Sequence, residues 1–293
     1  MATELQAAVA DAGEIPAEVR AAAMRGEPDR YLAATLARTT HRPALAALAA
    51  FASELARIPA TVSEPTLGDI RLQWWRDTLA AARAGSRSGH RIADALGGAM
   101  QRHGLDPDNL NAMIDAREFD LSGGLLPNDQ SLAAYLDATE GHAFRLGLCV
   151  VGVPAHLIDE IARPAGLAYG LARGLGRLPM LIHNGGLPLP VERLRAAGVE
   201  PDALGAEAKT SAIIAGVDRV AADLATMARG ALAEVRPRMA ALPRPMRAAL
   251  LPLAMVEPYF RSQSGRSRLG QMGLVTPLAR VVRIGMAHVT GRF

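Results

Sequence analysis

Alanine pairs recur along this chain in apolar runs such as "PALAALAAFASELARI", and they leave little room for any architecture other than helices. Alanine loses no side-chain entropy in a helix and has the highest intrinsic helix propensity. Short alternating runs of Val, Ile and Thr bounded by turn residues are scarce, so a sheet has little support. Of the 293 residues, 50% are hydrophobic and only 4% aromatic. The expectation is an all-α chain.

Proline and glycine set the predicted boundaries. A helical pattern begins at "RYLAATLA", breaks at "RTTHR", resumes at Pro43 and ends at Pro59. "TLGDIRLQWWRDTLAAARAG" is the next helix, closed by Gly85, and "PDNLNAMIDAREFDL" opens with Pro107 at a helix start. Two long helices are expected over 129–153 and 154–182, the second kinked at Pro164 because proline removes a ladder bond and crowds the preceding turn. "HNGGLPLP" reads as a turn, with His183 as a cap or surface group. About ten helices in a single domain over 28–293 are predicted, preceded by a loosely attached leader over 1–27.

Composition narrows the function classes. The net charge of +3 is small for this length, and Lys209 is the sole lysine. No dense basic stripe with interleaved aromatics marks a nucleic-acid surface, so nucleic acid is not an expected partner. The single cysteine, Cys149, lies in "LGLCVVG" and reads as a small buried hydrophobe, which suits a reducing compartment. The opening "MATELQAAVADAGEIP" lacks a continuous apolar h-region, and "LGLCVVGVPAHLI" is too short to span a bilayer. A cytoplasmic protein, or one that lies on a membrane without crossing it, is expected.

Motifs with their own chemistry are missing: there is no Walker A loop, no G-x-G-x-x-G after a strand, no H-E-x-x-H and no paired C-x-x-C. Two features remain. Trp74 and Trp75 are the only tryptophans and stand side by side, about 100° apart on a helix. One indole can fill the core while the other meets a second surface. "DAREFD" places Asp115 and Glu118 on one helical face, with Asp120 more oblique. That face is either solvated, with Arg117 beside it, or a carboxylate cluster aimed into a cavity, where it could hold Mg²⁺.

In their order along the chain, these pieces resemble the squalene/phytoene synthase family. "ALAALAAFASELAR" resembles the first cavity helix, "RLQWWRDTL" the R-L-x-W-W segment, and "DAREFDL…LAAYLDATEGHAFRLGL" the second acidic helix with the Tyr135-bearing helix after it. "AYGLARGLGR…GGLPLPVERLRAAGV" and "ALLPLAMVEPYFRS" resemble the approach to the family's Leu-Pro turn and its late core helix. The resemblance implies an isoprenoid-synthase-like helical bundle with a central cavity, in which one indole of the pair plugs between helices and the other lines or closes the channel mouth.

Active members that this sequence resembles carry two aspartate-rich motifs on facing helices, whose carboxylates hold Mg²⁺ against a diphosphate leaving group. Ionising an allylic diphosphate requires that the developing anion be neutralised by metal and cationic side chains. In this chain the first motif's positions fall on Ala56, Arg57 and Ala60, and the second on "RLPML", residues 177–181. Arginine and apolar groups stand where carboxylates are needed. No catalytic residue, metal ligand or cofactor is therefore expected, with Mg²⁺ implied only if prenyl transfer holds.

Within the family, "FASELA", "VSEPTLGDIRLQWW" and "DARE" resemble the branch without the aspartate motifs, which includes a mitochondrial complex I (NADH dehydrogenase) assembly factor. The resemblance implies a non-catalytic role, with a respiratory-complex subunit or assembly partner, or an isoprenoid-like lipid, as the bound species. A prenyltransferase that condenses prenyl diphosphates and a bland lipid carrier are the alternatives. Candidate cavity or ligand-binding residues are Glu54, Arg57, Arg71, Trp74, Trp75, Asp115, Glu118, Tyr135 and Arg177. The tail "TPLARVVRIGMAHVTGRF" spaces Leu278, Val281, Val282 and Met286 with Arg280 and Arg283 as an amphipathic basic helix, which either packs on the core or meets a membrane surface.

Overall fold

Alanine's small side chain lets helices approach closely, and the whole molecule is built on that approach. The computed structural model describes residues 14–62, 64–183, 189–205, 210–261 and 275–293, and they contain fourteen α-helical segments and no strand. At the centre lies α3, Arg42–Thr61, preceded by α1, Ala17–Gly26, and α2, Pro28–Leu36. By length and composition α3 could cross a membrane, but it is the core helix here, with every residue from Ala44 to Ser53 buried. It packs on α1, on α2 and on α5, Arg91–His103, which follows α4, Pro65–Arg83.

The remaining helices close around it. They are α6, Pro107–Leu121; α7, Asp129–Leu136; α8, His142–Val150; and α9, Ala155–Gly176. After the short α10, Leu178–His183, and α11, Val191–Ala196, comes α12, Ser211–Ala241, which lies along α9. A 3-10 segment, Arg244–Met255, leads into α13, Val256–Arg261, and packs against both α2 and the last helix, α14, Pro277–Thr290.

Three departures from the sequence reading have physical causes. The stretch over 17–27 is no loose leader: Val19, Ala22 and Ala23 are buried against α3, and Glu27 is 2% exposed in the interior. The helix predicted over 129–153 is interrupted by a π-helical turn at Asp137–Gly141. The helix over 154–182 runs through Pro164 and breaks at Arg177, whose φ of -108 and ψ of 7 leave the helical range. The "HNGGLPLP" turn falls in part outside the described residues; His183 is exposed at a helix end.

The π turn widens the backbone by one residue and so re-aims the side chains that follow it. Its position is set by glycine. A Cβ on Gly166 of α9 would lie 2.5 Å from the backbone nitrogen and 2.6 Å from the Cα of Gly141. Glycine at 166 is what lets α9 approach the turn this closely, and Glu140 within the turn faces Arg30 and Arg173.

Gly166→Ala should therefore destabilise the fold by about 1–3 kcal/mol through overpacking against backbone that cannot rotate away. Gly98, inside α5, has open space where a Cβ would sit. Gly98→Ala should instead stabilise by about 0.5–1 kcal/mol. Urea denaturation of both variants measures the two signs.

Candidate functional site

Charged side chains are rarely buried unless paired, so the interior charges define the site. Asp29 is 0% exposed and Glu27 2%, both at the start of α2. Arg173 of α9 bridges the elements: it pairs with Glu27, donates through Nη1 to Glu140 Oε1 at 3.0 Å, and donates through Nη2 to the Gly26 carbonyl at 2.7 Å. Arg30 completes the quartet, donating to the other oxygen of Glu140 at 2.6 Å and standing 3.3 Å from Glu27. Its guanidinium lies 4.4 Å above the Phe144 ring.

Asp29 is held by a second set. The hydroxyls of Tyr169 and Tyr259 donate to the same Asp29 oxygen at 2.8 Å and 2.7 Å, and Arg280 of α14 binds the other. Burial and the neighbouring Asp29 charge push the Tyr259 hydroxyl up to about 12, so it stays a donor at neutral pH. A third set adjoins: Tyr135 donates to Asp120 at 2.8 Å, while Arg117 donates to Asp120 at 2.8 Å and to the Tyr135 oxygen at 3.2 Å. Each of the four acids, Glu27, Asp29, Asp120 and Glu140, is bound by at least one arginine.

Mg²⁺ needs several oxygen ligands in octahedral array and favours sites of excess negative charge. The interior acids spend their lone pairs on guanidinium and phenol groups instead. Among the described residues no three His, Cys, Asp or Glu side chains gather in a metal-holding arrangement. The donor set does not fit Mg²⁺.

Beside Arg30 the bundle holds a partly open apolar cavity lined by Ala33, Ala34, Leu45, Leu48, Ala49 and Met113. It offers about 30 Å³ to the centres of water-sized molecules. At roughly 10–15 Å³ per water that is room for about two of them, far less than a polyprenyl chain occupies.

The residues expected from sequence fall in several places. Tyr135 joins the interior cluster. Trp75 is 4% exposed and packs edge-on against Phe51 at 5.1 Å, whereas Trp74 is 41% exposed and rests on Trp75 and His90. Glu54 and Arg57 pair with each other at 3.1 Å, Arg25 standing 3.7 Å away. Arg71 is exposed and donates to Thr61. Asp115 and Glu118 point outward, and Arg76 clamps both at 2.6 Å. The solvated reading of that face is the correct one, with Arg76 rather than Arg117 as the partner. Cys149 is half-buried rather than fully enclosed, donating weakly to the His103 carbonyl at 3.6 Å.

Arg177, half-buried at the break after α9, makes no ion pair among the described residues. The positive charge of Arg173 and its own burial hold its guanidinium below the ordinary value.

The sequence reading missed Glu27, Asp29, Arg30, Glu140, Tyr169, Arg173, Tyr259 and Arg280. One signal was available: Arg173 interrupts the otherwise apolar "AYGLARGLG", and an arginine on an apolar helix face demands a buried acid.

Comparison with known proteins follows this geometry. A family model described as squalene/phytoene synthase matches residues 23–266. The NADH dehydrogenase (ubiquinone) complex I, assembly factor 6 of Bos taurus is 32% identical over 149 residues, covering 51% of this chain and 45% of that protein. Its Homo sapiens counterpart is 30% identical over the same length, with the same coverage. The match thus spans a little under half the length of these relatives. A dehydrosqualene synthase crystal structure superposes with a TM-score of 0.75 at 14% identity over 98% of both chains. The squalene synthase HpnC of Alicyclobacillus acidocaldarius gives 0.66 at 17%, over 95% of this chain and 98% of that one. At those identities the likeness is one of fold.

Removing one partner from a buried ion cluster leaves an uncompensated charge. Arg173→Ala should cost about 3–5 kcal/mol, whereas Arg76→Ala, which loosens an exposed pair, should cost about 1 kcal/mol or less. Thermal denaturation of the two variants distinguishes these sizes.

The pH profile should fall in two stages. Burial keeps His41, His103 and His142 below 6.5, so the unfolded chain takes up protons first and stability begins to drop as the pH falls through about 6.5. Burial pushes the Glu140 carboxyl up, but Arg173 and Arg30 outweigh it and hold the group at about 2. Its contribution is complete above 4.5 and is lost as the pH falls towards 2. Urea midpoints across this range, with Glu140→Gln flattening only the acid stage, test the assignment.

Proposed function

Because the chain belongs to the squalene/phytoene synthase family while arginine neutralises its interior carboxylates, we propose that it acts in respiratory complex I assembly without transferring prenyl groups. The observation that carries this reading is Arg173, which binds Glu27 and Glu140 together. Prenyl coupling in a site of this type needs a diphosphate held by divalent metal, so that negative charge can leave the allylic carbon. In this interior the acids serve as counter-ions to arginine. Freeing them would leave buried cations unpaired, a cost of several kcal/mol.

The relatives named complex I assembly factor 6 supply the biological direction, and they share the stretch of fold rather than their full length with this chain. The species bound is proposed to be a protein subunit or assembly partner in preference to an isoprenoid-like lipid. The apolar cavity favours that order, since a polyprenyl tail would have to displace Leu45, Leu48 and Met113 to enter.

The competing reading, a prenyltransferase that takes Mg²⁺, is favoured by the extent of the superposition on a dehydrosqualene synthase. One experiment separates the two. Purified protein incubated with farnesyl or geranylgeranyl diphosphate and Mg²⁺ should yield no coupled hydrocarbon and release no pyrophosphate above the protein-free rate. Squalene or phytoene formation that Glu140→Gln abolishes would sink the assembly-only reading. Deletion of the coding sequence should lower assembled complex I while leaving other respiratory complexes intact, as read by native gel activity staining.

A further inference from the structure

The last helix, α14, is pinned to the body by one face and bare on the other. Ile284 and Ala287 are buried, Arg280 reaches Asp29, and Arg283 donates to the Ala254 carbonyl at 3.4 Å. The helix is capped at both ends, by the Thr276 hydroxyl accepting from Ala279 N–H and by Gly291 at a φ of 69. Its pose is fixed. Away from the body stand Leu278 at 73% exposure, Val281 at 52%, Val282 at 50%, Met286 at 54% and Val289 at 71%. At about 100° per residue these five side chains share one stripe. Nothing in the described body covers it.

Charge says what does. From Val235 to the end, the chain carries ten arginines against the single acid Glu257, so this segment is strongly cationic in a protein whose total is only +3. Everything before it is net negative. No aspartate or glutamate follows Glu257. Arg236, Arg238, Arg244 and Arg292 are exposed, and Arg247 lies against Gly291 at the end of α14. Arg238 stands 3.7 Å from Glu160, yet an apolar helical stripe beside an arginine-rich end of the chain complements a surface that is apolar below and anionic above.

We propose that the outer face of α14 docks the protein on an anionic phospholipid bilayer, with Leu278, Val281, Val282, Met286 and Val289 entering the headgroup–acyl boundary and the surrounding arginines meeting lipid phosphates. The helix lies in the interface and does not span it. This docking is independent of the assembly role: it concerns where the protein sits, not what it binds there.

Co-sedimentation of the full chain with phosphatidylcholine vesicles, with and without phosphatidylglycerol, tests it. Binding should require phosphatidylglycerol and weaken as salt rises. The double variant Val281→Glu with Met286→Glu should reduce binding at least about tenfold, because two acids replace two membrane-entering groups. Both positions are more than half exposed, so the variant should keep the wild-type circular dichroism and melting temperature. Met24→Glu, at an exposed apolar position on α1, should leave vesicle binding unchanged. No binding to anionic vesicles, equal binding to pure phosphatidylcholine, or unchanged binding by the double variant would overturn the proposal. So would a concentration-dependent dimer that the double variant dissolves while vesicles stay unbound, which would assign the stripe to a second copy of this chain.

Discussion

Arg173 and the two glutamates it holds, Glu27 and Glu140, tie together three parts of the chain that are far apart in sequence. Glu27 fixes the junction of α1 and α2, Glu140 fixes the π turn, and Arg173 projects from α9. Each ion would be prohibitively costly in an apolar interior by itself. Together with Arg30 they form a neutral set whose ion pairs link the α1–α2 junction, the π turn and α9. Burial of alanine supplies the closeness, and the ionic set supplies the geometry.

The same interaction decides what chemistry the interior supports. A carboxylate that shares its lone pairs with guanidinium groups has few left for a metal, and an arginine paired to it stands close to where a cation would have to sit. Asp29 repeats the pattern with two tyrosine hydroxyls and Arg280, and Asp120 repeats it with Arg117 and Tyr135. Arg177 departs from it as a cation without a described counter-ion. The fold shared with prenyl-coupling enzymes thus holds interior acids that arginine neutralises, beside a narrow apolar cavity at Arg30.

Much of the fold was legible from local chemistry. Alanine pairs and proline boundaries located the core helix between Pro43 and Pro59, and the 100° offset of neighbours separated Trp75 from Trp74. The helix predicted through the π turn was wrong because nothing local signals it; the turn packs its backbone against Gly166 and its Glu140 against Arg30 and Arg173, all contacts with other helices. The site was less legible still. Helical spacing groups Asp115 and Glu118 on one face, yet that face is solvated. Glu27, Asp29 and Glu140 take arginines from distant segments, Arg173, Arg280 and Arg30, so no spacing rule finds those pairings, and the local pairs Glu27–Arg30 and Arg117–Asp120 look like ordinary surface spacings until the fold buries them. The leader boundary failed for the same reason: Glu27 gains its role only when Arg173 arrives.

Anomalous scattering from crystals grown with Mn²⁺ and a non-reactive prenyl diphosphate analogue tests the neutralised interior most directly. The account predicts no manganese peak near Glu27, Asp29 or Glu140, with Arg173 still bridging both glutamates. A pair of manganese ions coordinated by those carboxylates, with Arg173 and Arg30 displaced, would contradict it.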